Sequence, residues 1–303
     1  MVTTQEIKQY AKESGFISCG ITSADDFPEY STALDRLISI FPETASLYRP
    51  MDKRAWVKKN TPWAKSIIVC IRGYGKYKIP EGIKGYIGRN YLFDSRVPQN
   101  PDFLMIKNFT TWLKNTGLRV KKGRLPDRLS ATRAGVANIG KNNFAYTKTA
   151  GSWINIATYM VDAQLETDKP LLSSACPEGC DLCIRACPTG ALSRPYLMRM
   201  DRCVAFLTYG TPVSVSDELS RKMGPWIYGC DACQEVCPLN TDKWKETISL
   251  SHLDELSEIL TPLGLSEMDD RTYRQRIHPL FPYISIDNLE RWHNNAKRAL
   301  RVS

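Results

Sequence analysis

No apolar run in the 303 residues approaches the roughly 18 to 20 that a membrane span needs, so no spanning helix is expected. The first thirty residues contain no twin arginine and place Glu6, Lys8, Lys12 and Glu13 among their apolar positions, so they are expected to form a helix and not a signal peptide. Nothing in the composition marks a disordered segment. These absences predict a soluble, cytoplasmic protein, and 43% hydrophobic content over this length is enough to bury a sizeable core.

What is abundant is cysteine. Ten thiols in a reducing compartment point to metal or redox chemistry before disulfides. Cys19 in FISCGI and Cys70 in SIIVCIRG sit in strand-like apolar runs, where a thiol acts as a small hydrophobe. The other eight, Cys176, Cys180, Cys183, Cys187, Cys203, Cys230, Cys233 and Cys237, fall within 62 residues. Residues 180–188, CDLCIRACP, and residues 230–238, CDACQEVCP, repeat one pattern of Cys, two residues, Cys, three residues, Cys, Pro.

Eight thiolates are what two 4Fe-4S cubanes require. A tight loop with ligands every third residue wraps three iron corners, and the Cys before Pro points to the neighbouring cluster. One cluster is thus assigned Cys176, Cys180, Cys183 and the distant Cys237; the other takes Cys203, Cys230, Cys233 and the distant Cys187. Two Cys-x-x-Cys pairs could also serve structural zinc. The third cysteine of each copy, the proline after it and the symmetry of the copies favour iron-sulfur. Cys176 and Cys180 are separated by three residues where the bacterial ferredoxin run has two, and Gly179 is placed to absorb the extra one.

Two cubanes that exchange a ligand lie close enough to form a wire, and a wire needs a component at each end. Two oxidised clusters lower the formal charge of +9 to roughly +5. Residues 53 to 89 hold ten Lys or Arg against Glu81 alone, with Trp56, Trp63, Tyr74, Tyr77 and Tyr86 interleaved; residues 119 to 133 add six against Asp127. Such a half could engage RNA or a phosphate-bearing cofactor or substrate, although a solvated face has the same composition.

The elements are mixed. TTQEIKQYAKESG reads as a helix opened by a Thr3–Glu6 capping box and stopped at Gly15. FISCGI and SIIVCI read as strands, DFLMIKNFTTWLKNTG as a helix with Phe103, Ile106, Phe109 and Leu113 inward, RLSATRAGVA as helical and GSWINIATYMVDAQL as a long β-run. HLDELSEIL and DDRTYRQRI suggest C-terminal helices. The expected class is α+β or α/β, with a mixed N-terminal domain over 1–168, a ferredoxin-like double-cluster domain over 169–245 and a helical segment over 246–303.

RLSATRAGVANIGKN, GSWINIATYMVD, CDLCIRACPTGAL, DRCVAFLTYG and IYGCDACQEVCPLN, in that order, resemble the successive motifs of the epoxyqueuosine reductases, cobalamin-dependent enzymes of tRNA queuosine synthesis within a superfamily that includes the reductive dehalogenases. The resemblance is close from about 125 to 241 and looser before, where GITSADDF and AKSIIVCI still have counterparts. It implies that Arg133, Ala134, Gly135, Ile139, Gly140, Lys141 and Asn142 match a loop shaping a cobalamin cavity. Gly151, Ser152 and Trp153 match a neighbouring strand start, and Tyr228 with Gly229 the approach to the second cluster loop. It also implies a corrinoid-binding N-terminal domain, reduction of cobalt to Co(I) through the clusters, reductive removal of oxygen or another leaving group, and an electron donor such as flavodoxin or ferredoxin.

The match has three departures. Where the family has an Asp, taken as proton donor, seven residues before the position of Arg128, this chain has Lys121, which serves as an acid only if burial lowers its pKa considerably. No histidine occurs in IGRNYLFDSRVPQNPDF, where the family has a Gly-x-Asp-Tyr-His element; the three histidines are His252, His278 and His293. The chain also ends about 65 residues after Cys237, before a helical-repeat extension that many members use to grip tRNA. The expectation is a cobalamin-dependent reductase whose substrate need not be epoxyqueuosine, with tRNA as a partner. The alternative is an electron-transfer protein that reactivates a corrinoid on a partner protein; a module keeping its clusters for stability alone is a third reading.

Overall fold

The computed structural model describes residues 2–210 and 215–302. They form two compact units, each discontinuous in sequence. The first takes residues 1–74, 104–180 and 239–243, the second 75–103, 181–238 and 244–303. This division interleaves the chain, unlike the three consecutive segments expected from the sequence, because compactness follows side-chain packing across chain-distant segments and not the positions of linkers.

In the first unit, α1 (Thr4–Glu13) has the expected capping box: Thr3 Oγ1 accepts the Glu6 amide and Glu6 accepts the Thr3 amide at 2.8 Å. Gly15 (φ +99) turns the chain into β1 (Ser18–Ser23). Then come α2 (Pro28–Ile40), α3 (Ala45–Asp52), α4 (Val57–Asn60) and β2 (Ser66–Gly73). After α5 (Arg89–Leu92), which belongs to the second unit, α6 (Pro101–Asn115) re-enters the first from Leu104 onward. The unit continues with β3 (Val120–Lys122), α7 (Asp127–Arg133), the short pair β4 (Asn138–Ile139) and β5 (Ala145–Tyr146), and β6 (Ile154–Val161).

The main sheet has the order β1-β2-β6-β3 and is antiparallel throughout, which gives the unit an α+β character. The central strand β2 is buried along nearly its whole length because both sheet faces are covered. Its period of two sends Ile68 and Cys70 to one core with Ile7 and Ala11 of α1 and Ile106, Phe109 and Leu113 of α6. Ile67, Val69 and Ile71 go to the other with Phe27, Ala55, Val57, Ala131 and Ala134. Cys19 and Cys70 stand directly opposite each other on β1 and β2, their Sγ atoms 3.6 Å apart. Burial pushes the Cys70 thiol well up.

The second unit contains α8 (Leu182–Arg185), the hairpin β7 (Leu192–Arg194) with β8 (Leu197–Met198), α9 (Val204–Tyr209), α10 (Asp217–Lys222), α11 (Ala232–Glu235), α12 (Ser251–Asp254), α13 (Pro262–Glu267), α14 (Asp270–Thr272) and α15 (Leu289–Leu300). HLDELSEIL is helical only to Asp254, and DDRTYRQRI is a short helix followed by a wider turn over Tyr273–Ile277. The longest helix of this unit, α15, lies within the helical segment expected over 246–303, although it was not singled out there. It buries Trp292, Asn295, Ala296 and Ala299, one stripe at helical spacing.

The basic stretch 53–89 is divided between the two units, and several of its cations are engaged within the protein. Arg72 is buried with its guanidinium over the Tyr74 ring, Lys76 pairs with Asp102, Lys84 with Glu81 and Glu246, and Arg89 with Glu235. Among the described residues no helix is long and apolar enough to cross a membrane.

Candidate iron-sulfur site

The repeated nine-residue pattern is a repeated structure. In each copy an Asp with near-zero ψ, Asp181 or Asp231, precedes a four-residue helix, α8 or α11, whose second residue is the middle cysteine, Cys183 or Cys233. The Asp carbonyl accepts two amides of the turn, and the third cysteine closes it by donating its own amide: Cys187 to Ile184 O and Cys237 to Gln234 O, both at 3.2 Å. The proline that follows cannot extend the helix. The two turns, α8 and α11, pack together in the second unit.

Cys203 sits immediately before α9, and α15 fixes that helix. Arg291 donates to Leu207 O and Thr208 O, and Asn295 donates to Thr208 O and Ile227 O, satisfying carbonyls at the end of α9. Thr208 Oγ1 in turn accepts the Gly229 amide at 2.9 Å, so α9 also holds the residue before Cys230. Tyr228 is fully buried, stacked on Trp292 with ring centroids 4.9 Å apart, and its hydroxyl accepts the Tyr283 amide. It packs the approach to the second loop.

Cys187, Cys203, Cys230 and Cys233 share one electrostatic neighbourhood. Burial pushes up the thiols of Cys203, Cys230 and Cys233, and Cys187 adds to each. Cys187 comes from the first copy and the other three are the expected ligands of the second cluster; Cys183 of the first copy also acts on Cys233, and all five lie in the second unit. As thiols, Cys203, Cys230 and Cys233 bind protons tightly, and iron ligation would replace the proton with a cation. The donor set therefore fits a cluster: all-thiolate and half-buried. Among the described residues no three His, Cys, Asp or Glu side chains converge as ligands of one ion would.

The other expected set is divided, with Cys176 and Cys180 in the first unit and Cys183 and Cys237 in the second. Gly179 adopts φ +68 within the CPEGC turn, consistent with its expected task of absorbing the extra residue. Cys176 Sγ accepts the backbone amide of Lys141 at 3.2 Å, and Lys141 Nζ donates to Cys180 O at 2.7 Å. Lys141 thus clamps the turn carrying the first two cysteines and is not a free surface lysine.

Its neighbours are held largely by the protein itself. Arg133 donates to Asp26 O, pairs with Glu29 at 2.7 Å and lies over the Phe27 ring. The Ala134 carbonyl passes so close to Gly20 that a Cβ there would stand 2.1 Å from its oxygen. Gly135 (φ +70) runs beside Lys169 O, Ile139 pairs with Ala145, Gly140 faces the Tyr146 ring, and buried Asn142 donates to the Tyr146 hydroxyl at 2.8 Å. The Ser152 amide donates to Asn240 Oδ1 at 2.8 Å and Asn240 returns a bond to Ser152 Oγ, while Trp153 is buried edge-on to Tyr74. Asn240, three residues after Cys237, was not singled out from the sequence; only the pairing with Ser152 reveals its task.

Lys121 lies on β3 opposite Met160, and its Nζ donates to Thr61 Oγ1 at 2.7 Å and Asn60 O at 3.1 Å. Asp231, also missed, is 2% exposed, accepts the Arg89 amide at 2.8 Å, and has its pKa raised to about 7 by burial.

Comparison with known proteins agrees with this geometry. Residues 175–240 match a family model described as a 4Fe-4S double cluster binding domain. The epoxyqueuosine reductase of Leadbetterella byssophila is 31% identical over 250 residues, 78% of this chain and 80% of that protein. That of Bacillus subtilis is 32% identical over 287 residues, 90% of this chain and 72% of that protein. An epoxyqueuosine reductase solved with a tRNA-Tyr epoxyqueuosine-modified stem loop matches with a TM-score of 0.78 and 29% identity, over 98% of this chain and 80% of that one. The Streptococcus thermophilus enzyme matches with a TM-score of 0.80 and 26% identity, over 99% of this chain and 81% of that one. A double-cluster motif and sequence relatives over most of the length converge on one conclusion: the chain belongs to the epoxyqueuosine reductase family of iron-sulfur oxidoreductases.

Proposed function

We propose that this reductase passes electrons through two 4Fe-4S clusters to a cobalamin held by the first unit, for reductive removal of oxygen or another leaving group from its substrate. Cys203, Cys230, Cys233 and Cys187 would hold one cluster and Cys176, Cys180, Cys183 and Cys237 the other. The observation that carries the reading is Lys141: the loop expected to shape the corrinoid cavity donates its backbone amide to Cys176 Sγ, joining the cofactor loop to a cluster ligand.

The polar side chains Arg133, Asn142 and Ser152 and the Ser152 amide have partners inside the protein, so these residues fit a corrinoid as a preformed wall. Cobalamin would supply the strongly reducing metal centre, and the protein would bind, orient and exclude water. A tRNA partner is proposed by likeness to the relative solved with a tRNA stem loop, as are an electron donor of the flavodoxin or ferredoxin kind and a cytoplasmic setting.

A second reading is an electron-transfer protein that reduces a corrinoid on a partner. It is favoured by Lys121, whose ammonium is held by Thr61 and Asn60 where the family has a carboxylate. One experiment separates the two. Anaerobic reconstitution should give about eight irons per chain, and added cob(II)alamin should give a protein-dependent base-off electron paramagnetic resonance signal. A full iron complement with cobalamin left in its free, base-on form overturns the first reading in favour of the second.

A further inference from the structure

Lys121 lines a cavity of about 440 Å³ within the first unit, and the other charged groups in its wall are Lys53, Arg54 and Arg124. They come from three places: the turn after α3, strand β3, and the turn between β3 and α7, where Gly123 (φ +72) and Arg124 (φ +65) both take the left-handed conformation. No carboxylate lines the cavity, and among the described residues none pairs with any of the four cations. Asp127, which acts electrostatically on Arg54, accepts the Thr158 hydroxyl at 2.8 Å and lies outside the lining. Buried Val57, Leu125 and Met160 complete the wall with apolar surface.

Four cations drawn together without an acid repel one another, and a chain gathers them at that cost where an anion offsets it. The volume falls in the usual range for small-molecule pockets, about 300 to 1,000 Å³. Arg and Lys together suit phosphate oxygens, the guanidinium as a fork and the ammonium as a point charge. We propose that this cavity is a binding site for a small molecule carrying two or more phosphate-type charges, its less polar part resting on Val57, Leu125 and Met160. The charges of Lys53, Arg54, Lys121 and Arg124 hold the anion, and Thr61 fixes the Lys121 ammonium in place. A phosphate chain of a nucleic acid carries the same chemistry, but a concave cavity of this size, with Val57, Leu125 and Met160 buried in its wall, favours the small ligand. Lys121 holds the position of the family's proton donor, and the phosphate reading is tested apart from the corrinoid reading, since binding needs no electron flow.

The test is calorimetric titration of the cluster-loaded full chain at about 0.15 M salt, with inorganic pyrophosphate, orthophosphate and a 12-nucleotide single-stranded RNA as probes. Pyrophosphate should bind at one site per chain and more tightly than orthophosphate. Affinity should fall about tenfold or more in Lys121→Gln and in the exposed double variant Lys53→Gln/Arg54→Gln, with unchanged iron content and melting temperature. The distant Lys148→Gln should bind as the parent does. No pyrophosphate binding, an equal loss in Lys148→Gln, or binding of the RNA alone would each overturn the proposal.

Discussion

The two copies of the cysteine pattern fold alike and sit in different surroundings. Asp181, before the first turn, is largely exposed and pairs with Arg185 at its own helix end. Asp231, before the second, is buried, accepts the Arg89 amide and has its pKa raised to about 7 by loss of water. The turn needs only nine consecutive residues, because its hydrogen bonds run between positions three and four apart. The environment is set by segments far along the chain: α5, α9 and, through Thr208, α15. Local sequence therefore fixes the shape of each ligand loop, and tertiary packing fixes its electrostatics.

The comparison is tested hardest at the ligands. Cys203→Ser or Cys230→Ser should lower the iron content from about eight to about four per chain, and Cys183→Ser should do the same by emptying the other site. If Cys187→Ser removes the same cluster as Cys230→Ser, judged by which electron paramagnetic resonance signal survives, the crossed ligation holds; loss of the other signal would replace it with ligation confined to each copy. Next in size, Asp231→Ala should cost about 1 to 3 kcal/mol, since it leaves the Arg89 amide without its acceptor. Asp181→Ala should stay within about 0.5 kcal/mol, as expected of an exposed pair. Chemical denaturation of the two variants side by side measures this, and equal losses would mean that the surroundings of the loops do not differ in energy.

A smaller effect is expected from Lys141→Met. Its backbone amide still reaches Cys176, so iron content should be unchanged, while loss of the ammonium near Cys180 should make that cluster harder to reduce and lower its potential in redox titration. The smallest concerns His252, whose pKa burial holds below its ordinary value. The folded state then binds fewer protons than the unfolded state between the depressed pKa and the ordinary one, so stability should rise with pH through that window and be complete above about 6.5. His252→Gln should flatten this slope in melting temperature against pH.

Legibility in the sequence followed the same division. The capping box of α1, the core strands, the inward face of α6 from Ile106 to Leu113 and the eight cysteines were readable because each depends on neighbours within one or two turns or on alternation along one strand; Phe103, also expected inward, is only half-buried and lies outside that core. The helix α15 was not singled out, although its stripe of Trp292, Asn295, Ala296 and Ala299 has helical spacing, because an Asn at a core position reads as surface until its bonds to Thr208 and Ile227 are seen. The stretch 53–89 read as one basic half, and packing divided it into a buried arginine, several ion pairs and part of a cavity wall.

The sequence by itself determined that this chain carries two iron-sulfur loops and belongs with the reductases that share its ordered motifs, since metal ligation is written in residue type and spacing. Only the tertiary structure decided that Lys141 clamps the first cysteine turn, that Cys187 acts on the thiols of Cys203, Cys230 and Cys233, and that Lys53, Arg54, Lys121 and Arg124 face one cavity. Those relations join residues tens of positions apart, and the packing of the sheet and its helices sets distances that no local pattern encodes.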